Sequence, residues 1–269
     1  MSMDLFSLAD KVAVVTGACG LLGTQHCEAL ADAGARVVVA DLDEEAARRV
    51  ADGLGEGHLA IRLDVTDKES LQAARQRIWA TYGRIDVLVN NAAINDMFEN
   101  PLLAAEQSRF ELYPLEMWDR SWKVNVSGVF LCSQVLGGVM AEQGGGSIIN
   151  IASTYGVVAP DQTIYRDAEG RQTFYKSPAY PVTKSAVIGL TKFLASYWGH
   201  RKVRVNSLSP GGVENGQDVF FRQNYSNKTL LGRMAAPSDY KGAIVFLASE
   251  ASAYMTGANL IVDGGWTAI

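Results

Sequence analysis

The chain has 269 residues, a net charge of −5 and a pI near 5.3, a balance that argues against an electrostatic nucleic-acid surface. Its 48% hydrophobic fraction suits a globular core, while no uninterrupted apolar run approaches the ~18 residues of a membrane helix and the N-terminus lacks a signal-peptide pattern. Cys19, Cys27 and Cys132 have no metal-like spacing and read as reduced thiols, so a cytoplasmic protein without a metal, nucleic-acid or membrane partner is expected.

In chain order, a β-branched strand over 11–16 feeds Thr16-Gly17-Ala18-Cys19-Gly20-Leu21-Leu22-Gly23 and then a helix over 22–33. Glycines permit a tight turn and bring backbone N–H groups against a pyrophosphate, whose charge also suits a helix N-terminus. A strand before the turn and a helix after it supply the context this pattern requires. The next strand, 36–40, leads into Asp41-Leu42, where a carboxylate accepts from adenosine ribose hydroxyls and repels a 2′-phosphate. With no Arg or Lys in the turn or directly after Asp41, NAD is expected over NADP. The competing role for Asp41 is a cap on the helix that follows.

Strands continue at 59–63, 85–89, 147–151, 203–208 and 260–262, and helices at 44–52, 68–82, 115–142, 182–198 and 238–248. The strands are nearly continuous in apolar residues, as in a sheet covered on both faces. Their alternation with helices predicts one α/β domain over 1–269, a doubly wound, seven-stranded, mainly parallel Rossmann sheet. Tyr180 and Lys184, in Tyr180-Pro-Val-Thr-Lys184, fall one helical turn apart on one face. An ammonium there favours the phenolate, which a tyrosine of reference pKa about 10 needs for proton exchange near neutral pH.

These motifs together resemble the short-chain dehydrogenase/reductase family along nearly the whole chain. Asn90-Asn91-Ala92-Ala93 is similar to its Asn-Asn-Ala-Gly, and Asp64-Val65 to its adenine-contacting pair. Trp118, Asn125 and Gly128 match its long central helix, Ser153 its catalytic serine, and Tyr180 with Lys184 its active-site pair. Ser209-Pro210-Gly211-Gly212-Val213 resembles the start of the loop over the nicotinamide, taken here as 211–236, and Thr256-Gly257 to Gly265 the family's ending. The resemblance implies that Tyr180 exchanges a proton with the substrate oxygen while hydride moves to or from the nicotinamide. Ser153 would hold that oxygen, Lys184 would lower the tyrosine's pKa and bind the ribose, and Asn125 would position a water. It also implies a homodimer or homotetramer built on the helices at 115–142 and 182–198, with the tail 266–269 a candidate for burial against a neighbour.

Three departures stand out. The glycine spacing Thr-Gly-x-x-Gly-x-x-Gly is that of the longer, epimerase-like branch, and the 27 positions from Ser153 to Tyr180 imply an insertion over 156–177. Asn215 stands where the family often has threonine. The insertion leaves the fifth strand beside Ser153 and returns at Tyr180, so its polar residues are expected at the substrate. Asn95, Tyr155, Arg166, Arg171 and Glu214 are the candidate contacts, with Lys176 as a further cation, and the expected substrate is a sugar, polyol or sugar acid. The alternatives are an NAD-dependent sugar epimerase or dehydratase with tightly held cofactor, and a dinucleotide-sensing regulator.

Overall fold

β-branched segments buried on both faces build the sheet. The computed structural model describes residues 3–95 and 105–269. Its strands are Val12–Thr16 (β1), Arg36–Asp41 (β2), Leu59–Arg62 (β3), Val87–Asn90 (β4), Gly146–Ile151 (β5), Val203–Pro210 (β6) and Asn259–Val262 (β7). They pair in the order β3-β2-β1-β4-β5-β6-β7, every pair parallel, where the sequence predicts a mainly parallel sheet. The order reverses between β1 and β4, and a doubly wound sheet opens its binding crevice at the strand ends there.

The principal helices are Leu21–Asp32 (α1), Glu44–Leu54 (α2), Lys68–Tyr82 (α3), Leu115–Gln143 (α4), Ala179–Trp198 (α5), Val219–Ser226 (α6) and Lys241–Ala248 (α7). Local chemistry sets their ends. Asp43 accepts the Ala46 N–H at 3.0 Å to start α2, Asp67 accepts the Glu69 N–H at 2.9 Å to start α3, and the left-handed Gly144 stops α4. Alternation along β1 sends Val12 and Val14 into the core shared with α3, α4 and α5, and Ala13 and Val15 into the core shared with α1 and α7.

Two features were not read from the sequence. α6 has no counterpart among the expected helices, yet Asp218 caps it by accepting the Phe220 and Phe221 N–H groups at 3.0 and 2.9 Å. α4 is long and apolar enough to meet the length and hydropathy of a membrane span. Val129, Leu136, Val139 and Met140 are buried in this fold, so its apolar character is that of a core helix.

Candidate active site

Tyr180, Ser153 and Lys184 converge where β5 ends and α5 begins. Ser153, just beyond β5, accepts the Tyr155 N–H at 3.1 Å and hydrogen-bonds the Tyr180 side chain. Burial pushes the Tyr180 phenol above its usual range, and the Ser153 hydrogen bond opposes that rise. Lys184 is 4% exposed; burial lowers its pKa to about 8, and its Nζ donates to the Ile151 carbonyl at 2.7 Å. That ammonium lies 5.7 Å from the centre of the Tyr180 ring.

Asn125 lies in a widened turn of α4, Lys123–Gly128, a distortion that recurs at functional sites. Its Oδ1 accepts the Ile94 N–H at 2.8 Å, and its Nδ2 donates to the Ile94 carbonyl at 3.0 Å and to Thr183 Oγ1 at 3.2 Å. The carboxamide therefore ties the segment after β4 to α5, beside Lys184. Gly128 ends the same turn, and a Cβ there would come within 2.9 Å of Val65 Cγ2, so the glycine lets α4 lie against the segment after β3.

The turn between β1 and α1 fits a dinucleotide pyrophosphate. Gly17 has φ +59°, and a Cβ on it would lie 2.7 Å from Ala92 Cα; one on Gly23 would lie 2.2 Å from the Gly17 carbonyl oxygen. Gly20 precedes α1 without a side-chain cap, so the first N–H groups of the helix are available to an anion. Leu21 opens the helix with 41% of its surface exposed. Asn91 donates to the carbonyls of Thr16 and Gly17 at 3.0 and 2.9 Å, and Thr16 Oγ1 accepts the Asn91 and Ala92 N–H groups at 3.1 Å each. Asp41 accepts the Cys19 N–H at 2.9 Å, and Leu42 is exposed beyond it. Asp64 accepts from Thr66, while the Val65 side chain turns into the core, leaving its backbone for any contact with an adenine.

A cleft of ≈ 1020 Å³ joins this turn to the catalytic group. Leu22, Asn91, Ala93, Asn95, Ser153, Tyr155, Tyr180, Lys184, Pro210, Gly211, Gly212, Val213 and Asn215 line it, as does Arg166 of the insertion. Two of the expected substrate contacts lie outside the cleft lining. Arg171, 74% exposed, pairs with Asp167 at 2.8 Å and Glu169 at 3.0 Å, and Glu214 pairs with Arg222 at 2.6 Å; neither residue lines the cleft. Each lies beside an acidic or basic partner close in sequence, and that local ion pair takes up its charge.

The structure adds a wall that the sequence reading missed. Tyr165 of the insertion stands 5.3 Å, centre to centre, from both Phe174 and Phe221, the latter on α6. Tyr225 stacks on Trp266 at 4.4 Å, which buries the tail tryptophan within its own chain rather than leaving it for a neighbour. Asp161 meets Lys228 at 2.7 Å; that contact and the Thr163 hydroxyl hold the Asp161 carboxyl down to about 2. The run of Tyr and Phe at 155, 165, 174, 221 and 225 was the available signal. A ladder below the site was also missed: Asn90 donates to Asn150 at 2.8 Å, and Asn150 to Thr191 at 2.9 Å, linking β4, β5 and α5.

The family model described as "Enoyl-(Acyl carrier protein) reductase" matches residues 17–267. The chain is 39% identical to the D-threitol dehydrogenase of Mycolicibacterium smegmatis, across 99% of this chain and 97% of that one. It is 33% identical to the NAD-dependent glycerol dehydrogenase of Listeria innocua, across 97% and 96%. The solved gluconate 5-dehydrogenase of Burkholderia cenocepacia, in complex with NADP and tartrate, superposes with a TM-score of 0.86 at 31% identity, across 99% and 98%. A parallel sheet reversing between β1 and β4, an open helix N-terminus at its crevice and full-length similarity to dehydrogenases lead to one conclusion. The chain belongs to the short-chain dehydrogenase/reductase family and is an NAD(P)-dependent dehydrogenase.

Proposed function

We propose that this enzyme interconverts a secondary alcohol and a ketone on a hydrophilic polyol, sugar or sugar acid, with NAD as the preferred cofactor. The observation that carries the reading is the meeting of Ser153, Tyr180 and Lys184 in a cleft with Asn95 and Arg166 in its wall. Hydride would be supplied or accepted by a nicotinamide held in this cleft. Ser153 holds the reacting oxygen, and Tyr180 gives it a proton in reduction or removes one in oxidation. Lys184 favours the phenolate by its charge and would hold the cofactor ribose. Asn125 positions this group through Ile94 and Thr183.

Gly17, Cys19, Gly20, Leu21, Leu22 and Gly23 offer the pyrophosphate seat, Asp41 and Leu42 the ribose end, and Asp64 and Val65 the adenine. Asn91, Ala92, Ala93, Pro210, Gly211, Gly212, Val213 and Asn215 would flank the nicotinamide. Asp41 supports NAD because a 2′-phosphate would meet its carboxylate. The domain is read as one dinucleotide-binding unit over 1–269, with an insertion at 156–177 and a cover loop at 211–236. We read it as a cytoplasmic homodimer or homotetramer.

NADH formation from D-threitol, glycerol and gluconate tests the assignment. Tyr180→Phe should keep NAD binding and lose about a hundredfold or more of turnover, since only the transferable proton is removed. Turnover within a few-fold of wild type would contradict the role of Tyr180.

A further inference from the structure

Two ammonium groups approach Tyr180, from different parts of the chain. Lys184 comes from the next turn of α5. Lys176, in the insertion, comes closer, with its Nζ 4.3 Å from the centre of the same ring. Its seat is built. The ammonium donates to the Asn95 side-chain oxygen across the cleft. Its main chain is held at both polar groups by Gln162, whose Oε1 accepts the Lys176 N–H at 2.8 Å and whose Nε2 donates to the Lys176 carbonyl at 3.2 Å. Gln172 in turn donates to the Gln162 carbonyl at 2.6 Å. Ordering a lysine side chain costs much of its rotamer freedom, and these contacts offset that cost at one place, the face of the phenol.

We propose that Lys176 is a second cation for Tyr180, stabilising its phenolate and extending activity to lower pH, and that Gln162 positions it. The proposal rests on the reading of Tyr180 as the proton donor and acceptor. The neighbouring hydroxyls of Tyr155, Tyr165 and Tyr225 are all pushed above the usual tyrosine range, first of all by burial, and stay neutral across the working pH. Among the described residues, the acidic groups of the cleft and insertion are engaged elsewhere: Asp167 and Glu169 with Arg171, Asp161 with Lys228, and Asp218 with the first N–H groups of α6. Arg166, also in the cleft wall, is held by Gln172, which accepts from its Nε at 3.3 Å. An opposite charge at this range favours the ionised form of its neighbour.

The test reads Tyr180 without a substrate. The ultraviolet difference between wild type and Tyr180→Phe reports the phenolate of Tyr180 alone, and its titration midpoint is compared with that of the same pair carrying Lys176→Met. The expected midpoint is about one pH unit higher in the Lys176→Met pair, restored by Lys176→Arg and raised less by Gln162→Leu. The acid limb of kcat/KM for D-threitol oxidation should move in the same direction. An unchanged midpoint overturns the proposal, and a rise in KM alone would then make Lys176 a substrate contact. A Tyr180 that stays neutral up to the pH of unfolding overturns it as well. Failure of the underlying reading looks different, because Tyr180→Phe would then retain turnover.

Discussion

His26 lies in the second turn of α1, fully buried, and neither ring nitrogen has a hydrogen-bond partner among the described residues. Burial holds its pKa down at about 4, against an ordinary value of 6.5. The unfolded chain therefore binds the proton first as pH falls, and stability drops through the window from 6.5 to 4. A difference of that size corresponds to about 3 kcal/mol once the pH lies below both values. Urea unfolding at pH 7 and pH 4 should show His26→Leu losing about 3 kcal/mol less than wild type over that interval. Equal losses in the two proteins would remove His26 as the cause. Asp41 gives a second residue-level test. In the proposed role Asp41 accepts from the ribose and repels a 2′-phosphate, so in Asp41→Ala the ratio of kcat/KM for NAD to that for NADP should fall. A wild-type enzyme that prefers NADP by about tenfold, roughly 1.4 kcal/mol, would refute the assignment.

At the scale of elements, the insertion and α6 form one wall. The contact between Asp161 and Lys228 and the packing of Tyr165 against Phe221 join them, and Asn224 donates to the carbonyls of Ile164 and Arg166 at 3.3 and 3.4 Å. A wall fixed by an ion pair, rings and main-chain acceptors can hold Arg166 at the cleft. Arg166→Ala should raise KM for the native substrate about tenfold and leave NAD affinity unchanged, the effect of losing a charge-assisted hydrogen bond worth about 1.5–3 kcal/mol. Replacing residues 160–176 by a tight connection should harm turnover of that substrate far more than turnover of a small generic alcohol. An unaltered specificity ratio in both variants would reduce the insertion to a surface feature.

For the whole molecule, α5 presents an exposed apolar stripe. Val182, Phe193 and Tyr197 are 42%, 62% and 61% exposed, with the last two rings stacked at 6.0 Å. Gly189 lies between them on the same face, with open space over its Cα. On α4, Leu115 and Phe130 are also exposed. Such a patch suits a two-fold interface, the commonest symmetry of soluble oligomers. Sedimentation at micromolar concentration should show a dimer or tetramer of the 29.0 kDa chain, and Phe193→Lys with Tyr197→Lys should shift it towards monomer. Wild type running as a monomer would rule out the assembly.

Periodicity and local chemistry made much of the fold legible. Continuous apolar strands separated by amphipathic stretches carry the sheet, and the predicted helix at 68–82 coincides with Lys68–Tyr82 because Asp67 and the left-handed Gly83 cap it locally. Helical spacing made Tyr180 and Lys184 readable as a pair, whereas Ser153 was legible through the family resemblance. The glycine spacing alone pointed towards the epimerase-like branch, whereas similarity along the full chain is to dehydrogenases. Tertiary structure decided what depends on partners far apart in sequence. It buried Trp266 on Tyr225 and brought Asn95 to Lys176. A side chain's direction in a loop follows from which distant charge, ring or carbonyl reaches it first, and only the closed fold settles that.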